Sequence, residues 1–253
     1  MILLSPRGAL LAPLLASMML ALLTALPAAA AEFTPAQRAD IVQILREALK
    51  QDPSILREAI EALQADEGRH QAEAVRAALA AARSQLLDPA DPVAGNPQGD
   101  VTIIEFFDTR CPYCQRLEPA MAELLRQDSG VRVVFKDLPI LGPGSMLGAK
   151  TLLAAQSQGA YEKLREALMK PGPEPSREAI LATARKLGLD PEKLARDMES
   201  PAVQARIAAN LALARRLGIQ GTPAMVIGET LIPGAVELAE LRQAVAGARA
   251  ISR

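Results

Sequence analysis

Cys111 and Cys114 are the only cysteines in the chain, and they stand together as Cys111-Pro112-Tyr113-Cys114. Two thiols at this spacing can be closed into a disulfide and opened again, so any sulfur chemistry of this chain happens here. An apolar, β-favouring run (Val101, Ile103, Ile104, Phe106, Phe107) breaks at Asp108-Thr109 just before them, and a helical pattern begins at Gln115. The first amides of a helix have no intrahelical partner, and the helix dipole favours negative charge at that end. Pro112 removes one amide that could not be satisfied within the helix in any case. The amides of Tyr113 and Cys114 are left to face the sulfur. A thiolate stabilised in this way also stabilises the reduced pair, which makes its disulfide a stronger oxidant. Glu105 lies six residues before Cys111 on the same apolar run. A carboxylate placed there is desolvated, which raises its pKa toward the range of a working acid or base.

The pattern around these residues predicts the elements that hold them. Val101–Phe107 reads as a strand, and Val131-Arg132-Val133-Val134-Phe135 as a second one rich in β-branched residues. The helix between them carries Leu117, Met121, Leu124 and Leu125, with Pro119 inside it predicting a kink. Strand, helix and strand at this separation imply a parallel βαβ unit. Residues 144–217 then read as helix after helix, with Asp190-Pro191 and Ser200-Pro201 as cap-plus-first-position pairs. Strand character returns at Ala224–Ile227, directly after Gly221-Thr222-Pro223. Gly228-Glu229 turns the chain into Thr230–Ile232, and a closing helix is expected over about Val236–Ala246. Asp88-Pro89-Ala90-Asp91-Pro92 reads as a stiff, helix-breaking boundary before all of this.

The N-terminus has Arg7, an apolar stretch from Ala9 to Leu26, then Pro27 and a run of alanines. This describes a secretory signal peptide over 1–31, cleaved after Ala31. The stretch approaches the roughly 20 residues needed to span a bilayer, but Pro13, Pro27 and the small-residue exit favour cleavage. Export to the periplasm would put the cysteines in a compartment that permits disulfides. A purely structural disulfide is the bland alternative. Four-residue loops make weak staples, because the entropic gain grows with loop length. A formal net charge of −1 gives no reason to expect nucleic acid or anionic lipid as a partner. Few aromatics and abundant alanine point to a mostly helical chain with few strands.

Residues 32–87 read as a separate helical region. Thr34-Pro35-Ala36-Gln37 is a capping box with proline at the first helical position, and Ile41, Leu45, Ala48 and Leu49 recur at helical spacing. Asp52-Pro53 opens a second helix striped by Ile55, Leu56, Ala59, Ile60 and Leu63. From about Glu67 to Leu87 the helix is Ala-rich and charged, lacking the large apolar residues that would bury it. Such helices cannot enclose a core of their own, so their apolar stripes need a partner surface, and a second copy of the same segment is the preferred one. The sole histidine, His70, falls in the polar stretch and reads as a solvated residue.

The order of elements and their motifs resembles a thioredoxin fold carrying a DsbA-type helical insertion, an α/β architecture covering about residues 90–250. The resemblance rests on Glu105-Phe106-Phe107 upstream of Cys111-Pro112-Tyr113-Cys114 and on Gly218-Ile219-Gln220-Gly221-Thr222-Pro223 before a short strand. Residues 32–87 resemble, by helix pattern, the oligomerising N-terminal arm of the ScsC-like group within that family. The resemblance implies that Cys111 is the exposed nucleophile, Cys114 the resolving thiol and Glu105 the buried acid that moves a proton for it. It implies a cis proline at Thr222-Pro223 holding substrate backbone opposite the cysteines. It also makes Pro112 and Tyr113 the dipeptide that tunes the redox potential.

The expected function is a periplasmic thiol–disulfide oxidoreductase acting on exported proteins that contain thiols or disulfides. No cofactor and no resident metal are needed. An oxidase of this kind is monomeric and reoxidised by a quinone-linked membrane partner. An isomerase or reductase is a homo-oligomer kept reduced by a membrane electron donor. Thr222 before the proline and the N-terminal arm favour the isomerase side. The rival class is copper binding, since two soft thiolates suit Cu(I) and copper handling is associated with the ScsC-like group. Closed zinc sites need more ligands than two cysteines and one distant histidine supply. Haem attachment is excluded by Gln115, where Cys-x-x-Cys-His requires histidine.

Overall fold

The computed structural model describes residues 33–251, so the signal peptide expected over 1–31 lies outside the described residues. The described chain divides into two compact units between Ala65 and Asp66. The first holds α1 (Pro35–Gln51) and the start of α2 (Ser54–Ala81). α1 opens with the capping box read from the sequence. The Thr34 hydroxyl accepts from the amide of Gln37 at 3.3 Å, and Gln37 Oε1 accepts from the amide of Thr34 at 2.9 Å. Asp52 Oδ1 accepts from the Ser54 amide at 3.0 Å and starts α2. None of α1 is buried, and Ile44, Leu45, Leu56 and Leu63 are all more than half exposed.

The second unit is built on a five-stranded sheet in the order β1-β3-β2-β4-β5. Its strands are β1 (Val93–Gly95), β2 (Val101–Phe107), β3 (Val131–Asp137), β4 (Ala224–Ile227) and β5 (Thr230–Pro233). β2 and β3 pair in parallel, as the βαβ reading requires, and every other pair is antiparallel. β2 and β3 read as near-continuous apolar runs because both faces of the sheet are covered. The two-residue period sorts their side chains cleanly. Ile103, Phe107, Val133, Phe135, Met225 and Ile227 join one core, and Ile104, Phe106, Val134 and Val226 join the other.

The first core is closed by α4 (Pro112–Gln127), by α10 (Leu238–Ile251) and by the helical insertion between β3 and β4. That insertion comprises α5 (Pro143–Gln156), α6 (Tyr161–Leu168), α7 (Arg177–Lys186), α8 (Pro191–Asp197) and α9 (Pro201–Arg216). Ser176, Asp190 and Ser200 cap α7, α8 and α9 with their side-chain oxygens. Pro119 lies inside α4. α4 begins at Pro112, earlier than the helical pattern at Gln115 suggested, because proline is at home at the first position of a helix.

Three features differ from the sequence reading. Residues 66–87 are not excluded from a core. Leu79 and Ala82, with Leu86 from α3 (Arg83–Leu86), are buried against Ile104, Phe106 and Val226. Leucines set among alanines are enough there, because the second sheet face needs only a thin cover. The stretch before β1 is also held tightly. Asp91 is ion-paired to Lys136 with both side chains 1% exposed, and Arg206 Nη1 reaches Asp88 Oδ2 at 2.7 Å and Asp91 Oδ1 at 3.0 Å. β1 lies between the Asp88–Pro92 boundary and the first expected strand and carries no strand signal of its own, since three residues are too few to show an alternating pattern.

Candidate active site

β2 and α4 deliver the cysteines, and Asp108 shapes the turn between them. Its Oδ1 accepts from the Arg110 amide at 2.8 Å, and its carbonyl accepts from the Cys111 amide at 3.0 Å. Its Oδ2 takes the amides of Ile140 and Leu141 at 2.9 and 3.2 Å, tying the loop after β3 to the loop that carries Cys111. Gln115 Nε2 donates to the Thr109 carbonyl at 2.9 Å and braces the same turn.

Both cysteines are free thiols and both are buried: Cys111 is 4% exposed, so it is not the open thiol that the resemblance implies, with the Thr222 carbonyl lying against its sulfur. Cys111 is the N-cap residue of α4, with an extended backbone, and Pro112 occupies the first helical position. Its Sγ donates to the carbonyl oxygen of Thr222 at 3.1 Å. The Thr222–Pro223 peptide bond is cis. The fold therefore brings the Cys-x-x-Cys and the Thr-Pro loop together from sites 111 residues apart. A cleft of about 310 Å³ opens on the Thr-Pro loop, lined by Ile219, Gln220, Thr222, Pro223, Leu231 and Pro233 among others. Tyr113 is 56% exposed beside the thiols, with the Arg116 guanidinium 5.0 Å from its ring centroid.

Cys114 is fully buried one turn into α4. Burial pushes its thiol well up, and charge on Cys111 or Glu105 would push it further, while the Asp108 backbone opposes the shift. Unaided, this thiol does not ionise at neutral pH. Glu105 projects from β2 into the same core, where its charge bears on Cys114. Burial raises the Glu105 carboxyl to about 7, with Arg165 pulling it down and Glu118 pushing it up. Its Oε2 lies 3.3 Å from Arg165 Nη2, and its Oε1 is buried without a hydrogen-bond partner.

Buried Arg165, Asp137 and Tyr161 and part-exposed Glu118 complete this group, and sequence reasoning missed all four. Arg165 comes from α6, and its guanidinium stacks 4.0 Å from the Phe135 ring centroid and 4.7 Å from that of Phe107. Glu118 holds it in a bidentate pair, Oε1 at 2.5 Å from Nη2 and Oε2 at 2.9 Å from Nη1. Burial opposes the charge on Arg165, but the two glutamates outweigh it and hold its pKa above the ordinary value. Asp137 Oδ2 accepts from the Tyr161 hydroxyl at 2.8 Å, and burial raises its carboxyl to about 7. Burial likewise pushes the Tyr161 phenol well up. The only available signal was an arginine in an otherwise ordinary amphipathic helix and an aspartate closing a strand. His70 is exposed, far from this chemistry in character. Among the described residues no group of three or more His, Cys, Asp or Glu could hold a metal ion.

Comparison with known proteins agrees with this geometry. The DSBA-like thioredoxin domain model matches residues 102–246, and the model of the copper resistance protein ScsC N-terminal domain matches residues 37–69. A thioredoxin-like oxidoreductase from Silicibacter pomeroyi DSS-3 is 47% identical, with a TM-score of 0.64 over 66% of this chain and 98% of that one. A linker-deletion mutant of ScsC from Proteus mirabilis is 28% identical, with a TM-score of 0.65 over 88% of this chain and 99% of that one. The Na(+)/H(+) antiporter NhaA 3 of Salinispora tropica is 30% identical over 190 residues, which are 72% of this chain. The chain spans less than a third of the length of that antiporter, 29% of it. With a family model over more than half its length and the dithiol, the Thr-Pro loop and the helical insertion in their expected places, this chain belongs to the DSBA-like thioredoxin-domain family.

Proposed function

We propose that this protein is a periplasmic thiol–disulfide oxidoreductase that exchanges disulfides with exported proteins, working as an isomerase or reductase. The observation that carries this reading is the Cys111 thiol at the N-terminus of α4, 3.1 Å from the Thr222 carbonyl, with Cys114 buried one turn behind it. Cys111 is the nucleophile. Its sulfur attacks a substrate disulfide, forms a mixed disulfide and releases one substrate thiolate. Cys114 resolves that intermediate, and Glu105 takes its proton. Thr222 and Pro223 receive the substrate backbone in the cleft beside Cys111, while Pro112 and Tyr113 tune the potential of the pair.

The direction of exchange is the finer part of the proposal. Exposed Ile44, Leu45, Leu56 and Leu63 give residues 33–65 an apolar surface larger than a soluble helix pair normally leaves in water. We assign that surface to self-association: within the N-terminal region 32–87, residues 33–65 carry the oligomerising stripe, and residues 66–87 cover the sheet of the thioredoxin-like domain that follows. The isomerase reading pairs such an oligomer with a membrane electron donor, which is the partner we assign. The test compares refolding of scrambled ribonuclease with oxidation of reduced ribonuclease, for the mature chain from Glu32 and for one starting at Asp66. Starting at Asp66 keeps Leu79 and Leu86 on the sheet. Recovery of scrambled substrate that is lost on truncation supports an isomerase. Rapid oxidation indifferent to truncation overturns it in favour of a monomeric oxidase.

A further inference from the structure

Among the described residues, one guanidinium faces three carboxyls on the dithiol side of the sheet. Arg165 lies between Glu105 of β2, Glu118 of α4 and Asp137 of β3, the last already bonded to Tyr161 of α6. Its two glutamate contacts are unequal. Glu118, part-exposed and four residues after Cys114, holds both terminal nitrogens, whereas Glu105 has a single long contact through Oε2. The Phe107 and Phe135 rings fix the guanidinium plane, so it cannot follow one carboxylate without leaving the other. Glu105 Oε1 is thereby left bare inside the core.

We propose that Arg165 is the positioning residue for the proton step at Cys114: it tethers Glu105 by Oε2 so that Oε1 receives the proton, and Glu118 limits how strongly it does so. This rests on Glu105 being the base of the resolving step. In that step the Cys114 S–H proton passes to Glu105 Oε1 as the Cys114 sulfur bonds to Cys111. The bond from Cys111 to the substrate sulfur breaks, and the substrate thiolate leaves with the electron pair and takes a proton from water. One disulfide is lost and one is formed, so the Cys114 sulfur is oxidised and the substrate sulfur is reduced to a thiol, with no external oxidant. The helical insertion thus reaches into the chemistry of the βαβ unit through one side chain.

The groups facing Glu105 are Arg165 and Tyr161 from α6 and Glu118 and Cys114 from α4. Removing the Arg165 charge strips the stabilising partner from the ionised acid, and removing the Glu118 charge strips the opposing one. The two changes therefore act with opposite sign. Infrared titration of the reduced protein reads the Glu105 carboxyl directly, assigned by the band lost in Glu105→Gln and separated from that of Asp137 by Asp137→Asn. Arg165→Met should raise the midpoint by about one pH unit or more, Glu118→Gln should lower it, and Arg165→Lys should stay close to the parent. The acid limb of the rate at which a peptide is released from a Cys111 mixed disulfide should move in step.

Midpoints that do not move in Arg165→Met or Glu118→Gln overturn the proposal. Midpoints that move while the acid limb stays still overturn the role of Arg165 in resolution. A structural role alone would lower stability and leave both readouts in place. If Arg165→Met does not fold, Glu118→Gln, at a part-exposed site, decides the matter alone. Failure of the parent to form any mixed disulfide at Cys111 would instead sink the oxidoreductase reading, and the infrared midpoints would still report the hold of Arg165 on Glu105.

Discussion

The Cys111 thiol donates its hydrogen bond to the carbonyl oxygen of Thr222, a main-chain atom of the loop that closes the far side of the site. A thiolate has no proton to donate, so ionisation or a bond to substrate must release that carbonyl to another donor. A substrate backbone amide is the natural replacement, and capture of substrate and loss of this contact become one event.

Capture is read by trapping. Cys114→Ser should leave Cys111 unable to resolve, so that mixed disulfides with protein thiols accumulate and are seen on non-reducing gels and by mass spectrometry. Cys111→Ser should trap nothing, because Cys114 has no exposed surface and burial holds its thiol protonated. A copper carrier or a structural bridge would yield no such adducts from either variant.

Loss of the buried base should slow resolution without touching attack. Glu105→Gln should lower the rate of peptide release from the mixed disulfide by roughly 10²-fold, within the usual range for a positioned acid or base. The rate at which Cys111 forms the mixed disulfide should change little. Stopped-flow separation of the two phases checks it.

Glu105 and Asp137 also set how stability depends on pH. Burial raises both carboxyls to about 7, so the folded protein keeps protons there that the unfolded chain releases between about pH 4 and pH 7. Stability from these two groups is fully present below that window, falls as pH rises through it, and levels off above. Chemical denaturation of the reduced protein should show this decline. Glu105→Gln and Asp137→Asn should each flatten part of it, by at most about 3 kcal/mol at Glu105 and about 4 kcal/mol at Asp137.

The buried pair of Asp91 and Lys136 predicts an unequal response to cutting either end. Lys136→Met leaves Asp91 with Arg206 at 3.0 Å, whereas Asp91→Asn leaves a buried ammonium held mainly by the Gln85 carbonyl. Asp91→Asn should therefore cost more, about 3–5 kcal/mol, and an apolar replacement of both residues should recover much of the loss. A double-mutant cycle by urea unfolding measures it.

Leu79 separates the two units by energetics. Leu79→Ala should destabilise the sheet-containing unit by about 3 kcal/mol, since it opens a cavity against the second core. Leu45→Glu, on an exposed stripe, should leave thermal unfolding of that unit unchanged and reduce the sedimentation coefficient if the arm self-associates.

The dithiol, Glu105, the Thr-Pro loop and most helices were legible because each is announced locally, by spacing, caps or an apolar run. Arg165 was not, since its partners are 47 and 60 residues away and an arginine at helical position reads as a solvated charge. Asp108 looked like a mere strand break, although its carboxylate ties two loops together. Leu79 and Leu86 were passed over because alanine-rich spacing carries a weak signal of burial, and the sheet face that recruits them is assembled only from distant strands.

The last two residues of β3 carry opposite charges to opposite faces of one sheet. Lys136 meets Asp91 in the second core, and Asp137 meets Tyr161 beside the dithiol. Because side chains alternate along a strand, a slip of one residue would turn Lys136 toward Arg165 and Asp137 toward Asp91 and Asp88. Apolar residues on both faces of β3 would tolerate that shift, but the charges would not. The pair acts as an electrostatic key for the parallel register of β2 and β3, and so for the height at which the sheet presents Glu105 to the dithiol.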